Sequence, residues 1–460
     1  MIIIKKLIAF LFLVSFSLIN MNGQWVRQFS EAGSEYPQVI HTTKEGFSYF
    51  AGHTEIDNYN GYSWIMKLSP DGEKLKVNSY KIGWDTPNSK DEIQSVYHDE
   101  EGYFIFAGNT EAYPKYVYVA AKQMYVYKVS YEGDIIWTKT IGSVLSSSCN
   151  DVCGTPDGGC IAAGYSYSIN TGGKDVTLVK LDSYGEIEWQ RSYGGTGSDE
   201  ACAVFPANDG GYIFAANSYS FFPFNGDFWV VKVNEWGDVE WEKTYGRNME
   251  DRIYSFNIVS DGGYIMAGES FAGESGNSDI WILKLSVSGD ILWQKAYTQG
   301  ERSRADSIIA LPEGGYAVAG TYWEQKRKQI VFFKLSDQGE IIWQKKFSSS
   351  LPNEESSNDS SVSIVQSIDG GYVVLGLTET TQKSEKYVLV IKTLANGDLS
   401  NCGYLNESYL SVVDTNIIPL ESSLEISAPV LYEHDVQVIP ASTNFNTWIL
   451  CPYKKNIIRR

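Results

Sequence analysis

From about residue 24 to residue 400 the chain is a succession of short apolar or alternating runs broken by glycine-centred turns. One unit, from Asp261 to Tyr297, reads DGGYIMAGES, a loop, DIWILKL, a short turn and GDILWQKAY. The frame returns around Gly46, Gly102, Gly159, Gly211, Gly263, Gly315 and Gly371, at steps of roughly 52 to 57 residues. A lysine recurs in the third run of every unit: Lys67, Lys128, Lys180, Lys232, Lys284, Lys334 and Lys392. β-Branched and aromatic residues crowd the runs, so each unit predicts four strands, with tight hairpins joining the first to the second and the third to the fourth. In the fourth run Trp293, Lys295 and Tyr297 alternate and therefore share one face. The prediction is an all-β fold: a seven-bladed β-propeller of four-stranded antiparallel blades, preferred over a parallel solenoid, whose coils are shorter.

The fourth strands show how the ring closes. Trp137, Trp189, Trp241, Trp293 and Trp343 each follow a turn glycine by four residues, whereas the first unit carries Lys76 there. The seventh unit runs GDLSNC from Gly397 and has no fourth strand. Gln24-Trp25-Val26-Arg27-Gln28-Phe29 matches the missing piece, so the N-terminal strand is expected to complete the last blade and remove its free edge.

The run from Lys180 to Trp189, KLDSYGEIEW, resembles the tryptophan-docking repeat of the quinoprotein-alcohol-dehydrogenase-like propellers, with one residue fewer between Asp and Gly. Asp182 of that run is replaced by Ser286 and Ser336 in other units. The full pattern is similar to repeats of secreted bacterial propeller proteins and implies fold rather than activity. A quinoprotein dehydrogenase would carry adjacent cysteines beside its cofactor; this chain has no Cys-Cys pair, and no cofactor is expected.

Outside the repeat, residues 1–23 join Lys5 and Lys6 to an apolar stretch too short to span a bilayer and exit through small residues at Gly23. They read as a signal peptide, which places the mature chain outside the cytoplasm (extracellular, periplasmic or at the cell surface) with no membrane insertion. Residues 24–400 form the propeller, and 401–460 read as an extended C-terminal extension packed on it. Export permits disulfides: Cys402 and Cys451 stand alone in that extension and are expected to pair, while the pairing of Cys149, Cys153, Cys160 and Cys202 stays open. The formal charge of −19 excludes nucleic acid as a natural partner and disfavours anionic lipid. A monomer is expected.

The seven lysines read as structural, with Asp175, Asp227 and Asp279, or Asp199, Asp251 and Asp359, as candidate partners; an anion-binding channel is the alternative. Asp157, Asp209, Asp261 and Asp369 precede Gly-Gly and read as turn caps, not calcium ligands, so no metal is expected. His41, His53 and His98 read as strand residues. No catalytic string such as GxSxG or HExxH is present. The longer loops must share the face opposite the hairpins, and Trp84, Tyr113, Tyr116, Phe221, Phe222, Phe224 and Trp323 fall in them, as a ligand-binding rim or as a self-packed cover. The expected function is a secreted, non-catalytic scaffold that binds an extracellular protein or glycan through that aromatic face. The alternatives are a carbohydrate-active enzyme with carboxylates at the channel mouth and a purely structural envelope component.

Overall fold

Seven antiparallel sheets succeed one another along the chain. The computed structural model describes residues 24–399 except 31–32, 58–59, 83–89, 100–101, 112–121, 143–144, 168–172, 222–225, 248, 272–276, 299–301, 350–356 and 381–384, together with six short strands between 405 and 449. Blade five is typical: Asp251–Ile258 is innermost, followed outward by Tyr264–Phe271, Ser278–Leu285 and Ile291–Thr298. The turns are those the sequence predicts. In the first hairpin Gly263 N–H donates to the Asp261 carboxylate at 2.8 Å, and Gly262 takes a φ of +82°, which a side chain would strain.

The ring closes as expected. Trp25–Ser30 lies antiparallel to Lys386–Lys392, with Trp25 opposite Lys392, and becomes the fourth strand of blade seven. The core is therefore circular. Its seven apolar clusters each join the facing layers of two adjacent blades, including one that unites Trp25 and Phe29 with Phe50, Trp64 and Met66 across the closure.

The register corrects one detail of the repeat. Gly46 and Gly102 take φ values of +86° and +91° and occupy the place of Gly158 and Gly210, the first glycine of the turn. Phe47 and Tyr103 thus stand where the other blades have their second glycine.

The tail does more than pack on the propeller; it runs around it. Leu405–Glu407 pairs with the outer strand of blade six, Ser411–Asp414 with blade five and Glu425–Ser427 with blade three. Tyr432–His434, Val438–Ala441 and Asn446–Ile449 continue onto blades two, one and seven. Each adds a fifth antiparallel strand to a sheet edge that would otherwise be unpaired; blade four alone has four strands among the described residues. The expected Cys402–Cys451 pair lies outside the described residues. Cys149, Cys153, Cys160 and Cys202 are free thiols, and burial pushes all four up the pH scale.

Candidate functional site

The repeat residues form the joints between blades. The Trp137 ring lies over Gly185 of the next blade, where a Cβ would sit 2.7 Å from it, and Trp137 Nε1–H donates to the Ser183 carbonyl at 3.1 Å. Trp25, Trp189 and Trp293 make the same donation to Pro70, Glu235 and Asp337, and Trp241 and Trp343 lie over Gly289 and Gly397. The alternating partners dock on the same turn: Lys295 meets Glu340 at 2.6 Å, and Tyr297 Oη donates to the Gly339 carbonyl at 2.8 Å.

The recurring lysines do not pair with the acids proposed for them. Lys180, Lys232, Lys284 and Lys392 reach Asp157, Asp209, Asp261 and Asp369 at 2.7, 2.9, 2.8 and 2.6 Å, and Lys334 reaches Glu313 at 2.9 Å. In the four aspartate blades one carboxylate thus caps the hairpin and also takes the ammonium of the neighbouring strand, whereas in blade six Asp337 caps the Gly315 N–H and Glu313 takes Lys334. The second glycine leaves room for this: a Cβ at Gly211 would stand 2.8 Å from Lys232 Nζ. Blades one and two have rings in the place of that glycine, with Lys67 Nζ 4.4 Å from the Phe47 centroid and Lys128 Nζ 4.6 Å from that of Tyr103, and Lys128 keeps a looser carboxylate partner, Asp99 at 3.9 Å.

Several of the other acids meet each other across the blade seams. A Cβ at Gly194 would lie 2.4 Å from one Asp175 oxygen and 2.8 Å from one Asp199 oxygen. Burial, reinforced by Asp199, pushes the Asp175 carboxyl up to about 6. Burial raises Asp227 to about 6 and Asp251 to about 7, the latter helped by Asp227. One oxygen of each of these three is buried without a hydrogen-bond partner, as suits sites where burial disfavours the charged form. These pairs are sealed and recur at two seams, so they are packing features.

The loop-rich end is different. Of the expected aromatic rim, Trp84, Tyr113, Tyr116, Phe222 and Phe224 lie outside the described residues. Phe221 turns inward, edge-on to Trp229 at 5.4 Å and packed on the core between blades three and four. Trp323 is half-buried, with the Arg302 and Arg304 guanidinium carbons 4.7 and 5.8 Å and Lys328 Nζ 5.9 Å from its ring. Arg302 is positioned by the buried Glu269, which accepts its Nη2 at 3.2 Å, and Arg304 lies 2.6 Å from Asp306. Burial works against the Arg304 charge, but Asp306, Tyr254 and Glu269 outweigh it and hold it up. Beside this cluster the hairpin between Tyr316–Glu324 and Arg327–Leu335 turns through Gln325 (φ +52°) and Lys326 (φ +69°), the only non-glycine positive φ values among the described residues. That left-handed turn costs about 1–2 kcal/mol per residue and leaves Lys326 and Arg327 exposed.

Further cation–ring pairs occupy the same end of the ring. Lys174 Nζ lies 3.9 Å from the Tyr165 centroid and Lys386 Nζ 4.3 Å from that of Tyr36. Sequence reasoning found Trp323 but missed Arg302, Arg304 and Lys328; the Lys326-Arg327-Lys328 run in an acidic chain was the available signal. No three His, Cys, Asp or Glu side chains converge as metal ligands would among the described residues.

No family model and no curated protein matches the chain. It is similar to the solved structure of Sqt1 from Chaetomium thermophilum, at 13% identity over 77% of this chain and 84% of that one, with a TM-score of 0.43. The β-propeller domain of the Trilobed protease from Pyrococcus furiosus is similar at 9% identity over 79% and 94%, TM-score 0.43. β-1,2-Mannobiose phosphorylase from Listeria innocua is similar at 12% identity over 79% and 90%, TM-score 0.30. Likeness this loose says nothing about activity.

Proposed function

We propose that this protein is an exported, non-catalytic β-propeller of the tryptophan-docking kind that holds an acidic extracellular glycan at its loop-rich end. The observation that carries the reading is Trp323 ringed by Arg302, Arg304 and Lys328 in a chain of net charge −19. Aromatic faces stack on sugar rings, and the exposed Arg327 guanidinium beside the cluster can take carboxylate or sulfate oxygens in pairs, while Glu269 and Asp306 hold Arg302 and Arg304 in place. The strained Gln325-Lys326 turn fits the same reading, since strain kept at a surface site is often functional. A glycosidase would need two carboxylates open to substrate, whereas the close pairs among the described residues are buried between blades, which supports the non-catalytic reading over the carbohydrate-active alternative. Export rests on residues 1–23, and a Cys402–Cys451 bond belongs to the same proposal.

The test is binding of the exported chain to polyuronate, sulfated and neutral polysaccharides. Trp323→Ala and the pair Arg327→Ala, Lys328→Ala should each weaken acidic-glycan binding about tenfold or more, in a salt-dependent way, without lowering the melting temperature. Equal binding of neutral chains, or capture of a protein that competes with none of them, overturns the glycan reading. N-terminal sequencing should start the exported chain near Gln24, and peptide mapping should find Cys402 joined to Cys451.

A further inference from the structure

The seam between blades one and two is built unlike the others. At every other seam an indole lies over the turn glycine of the next blade, and at four of them it also meets the aromatic that opens that blade's second strand: Trp293 lies over Gly339 and edge-on to Tyr316 at 5.9 Å, and Trp189 lies over Gly237 and edge-on to Tyr212 at 5.7 Å. In the first blade the indole is replaced by Lys76, which is exposed and reaches the Glu132 carbonyl at 2.8 Å. Asn78 and Tyr80 still dock on Gly133, so the seam holds, but the indole slot stays open as a cleft of about 200 Å³. Phe104 stands where Tyr316 and Tyr212 stand, and Tyr49 and Tyr131 complete the walls.

Two further observations point to a ligand. Lys67 and Lys76 are direct cross-strand neighbours, and only Lys76 has a carboxylate beside it, Glu132 Oε2 at 3.5 Å, so the Lys67 charge is the one left without an anion among the described residues. Lys67 lies over the Tyr49 and Tyr131 rings at 5.1 and 4.6 Å and hydrogen-bonds Tyr131 Oη, and no carboxylate lies within ion-pair distance of it among the described residues. Tyr49 is 6% exposed, and its hydroxyl lies beside Tyr131 without a hydrogen bond of acceptable geometry. The cleft therefore offers ring-lined walls, the Lys67 ammonium, a Lys76 ammonium shared with Glu132, and the buried Tyr49 hydroxyl. It is smaller than the roughly 300–1,000 Å³ typical of drug-sized ligands.

We propose that this seam binds a small aromatic carboxylate, its ring in the place an indole takes at the other seams and its acid group on Lys67 and Lys76. The site is at the hairpin end of the ring and does not rest on the loop-end glycan reading; Trp323→Ala should leave it unchanged. Calorimetric titration of the full exported chain with indole-3-acetate, indole and glucuronate tests it. Indole-3-acetate should bind saturably with a Kd below about 1 mM, indole about tenfold more weakly or worse, and glucuronate not at all. Lys76→Trp should fill the slot with the chain's own indole and abolish binding while the melting temperature holds or rises. The double variant Lys67→Met, Lys76→Ala should bind indole and indole-3-acetate alike, which keeps the proposal testable if Lys76→Trp does not fold. Absence of saturable indole-3-acetate binding, binding undiminished in folded Lys76→Trp, glucuronate bound as tightly, or a tenfold acid preference surviving in the double variant each overturns the proposal.

Discussion

The joints on either side of the ring use one geometry for opposite ends. Between blades five and six an indole, an ammonium and a phenol from alternate positions of one strand all land on the next blade's turn. Between blades one and two Lys76, Asn78 and Tyr80 do so, with an ammonium in place of the indole, and a cleft opens where the indole would be. The lysine behind each joint follows suit: Lys284 is tied to Asp261, whereas Lys67 rests among rings. A repeat protein can give up one joint for a site because each blade interface carries its own apolar cluster, and the remaining interfaces keep theirs.

The comparison breaks most sharply at the indoles. Trp293→Ala should cost about 2–4 kcal/mol in chemical unfolding, because it removes a large ring and a hydrogen bond from a packed joint. Lys76→Ala should stay within about 0.5 kcal/mol, since Lys76 seals nothing. Equal losses would mean that the first joint is closed some other way.

A second difference is in pH. Asp251, raised to about 7, binds a proton more tightly folded than unfolded. Its contribution therefore favours the folded state below its folded pKa and is lost as pH rises from about 4 through 7. Asp251→Asn should be more stable than the parent at pH 8 by on the order of 2 kcal/mol, and this advantage should vanish by about pH 5. His41 and His53, depressed to about 4 chiefly by burial, act the other way below about pH 6.5, so the difference between variant and parent is the quantity to measure. A difference that is flat with pH would show that Asp251 is ionised throughout.

The smallest expected effect concerns the lysines. Lys232→Met should cost about 1 kcal/mol and lose part of that cost in high salt, because its partner Asp209 is largely exposed. Lys67→Met should cost about 0.5 kcal/mol with little salt dependence, as suits a cation held by rings. Matching salt profiles would argue against two different settings for the same lysine.

Much of the fold was legible in advance because glycine turns and a period-two pattern act locally. The same was true of the closing strand, since QWVRQF copies a motif present in five blades. The lysine partners were not legible. Lys284 and Asp261 are far apart in the chain, and only the antiparallel register, with Ile265 opposite Lys284, brings the end of the hairpin onto the ammonium. Acids that looked available, such as Asp251 and Asp227, face one another across a seam instead. The loop-end cluster was half visible: Trp323 was a candidate, but the arginines gathered on it come from the entry to a different strand of the same blade.

By itself, the sequence determined the blade count, the strand order within each blade and the partner of Trp25, because each depends on turn chemistry and alternation that repeat along the chain. Tertiary structure alone decided which charges meet, which joint stands open and how the tail strands lie. Those outcomes depend on which side chain of one blade faces which turn of the next, and that is set only when the ring closes. Lys76 was visible as a missing tryptophan in the sequence; that its absence makes a cleft walled by Phe104, Tyr49 and Tyr131 follows from packing two wedges side by side.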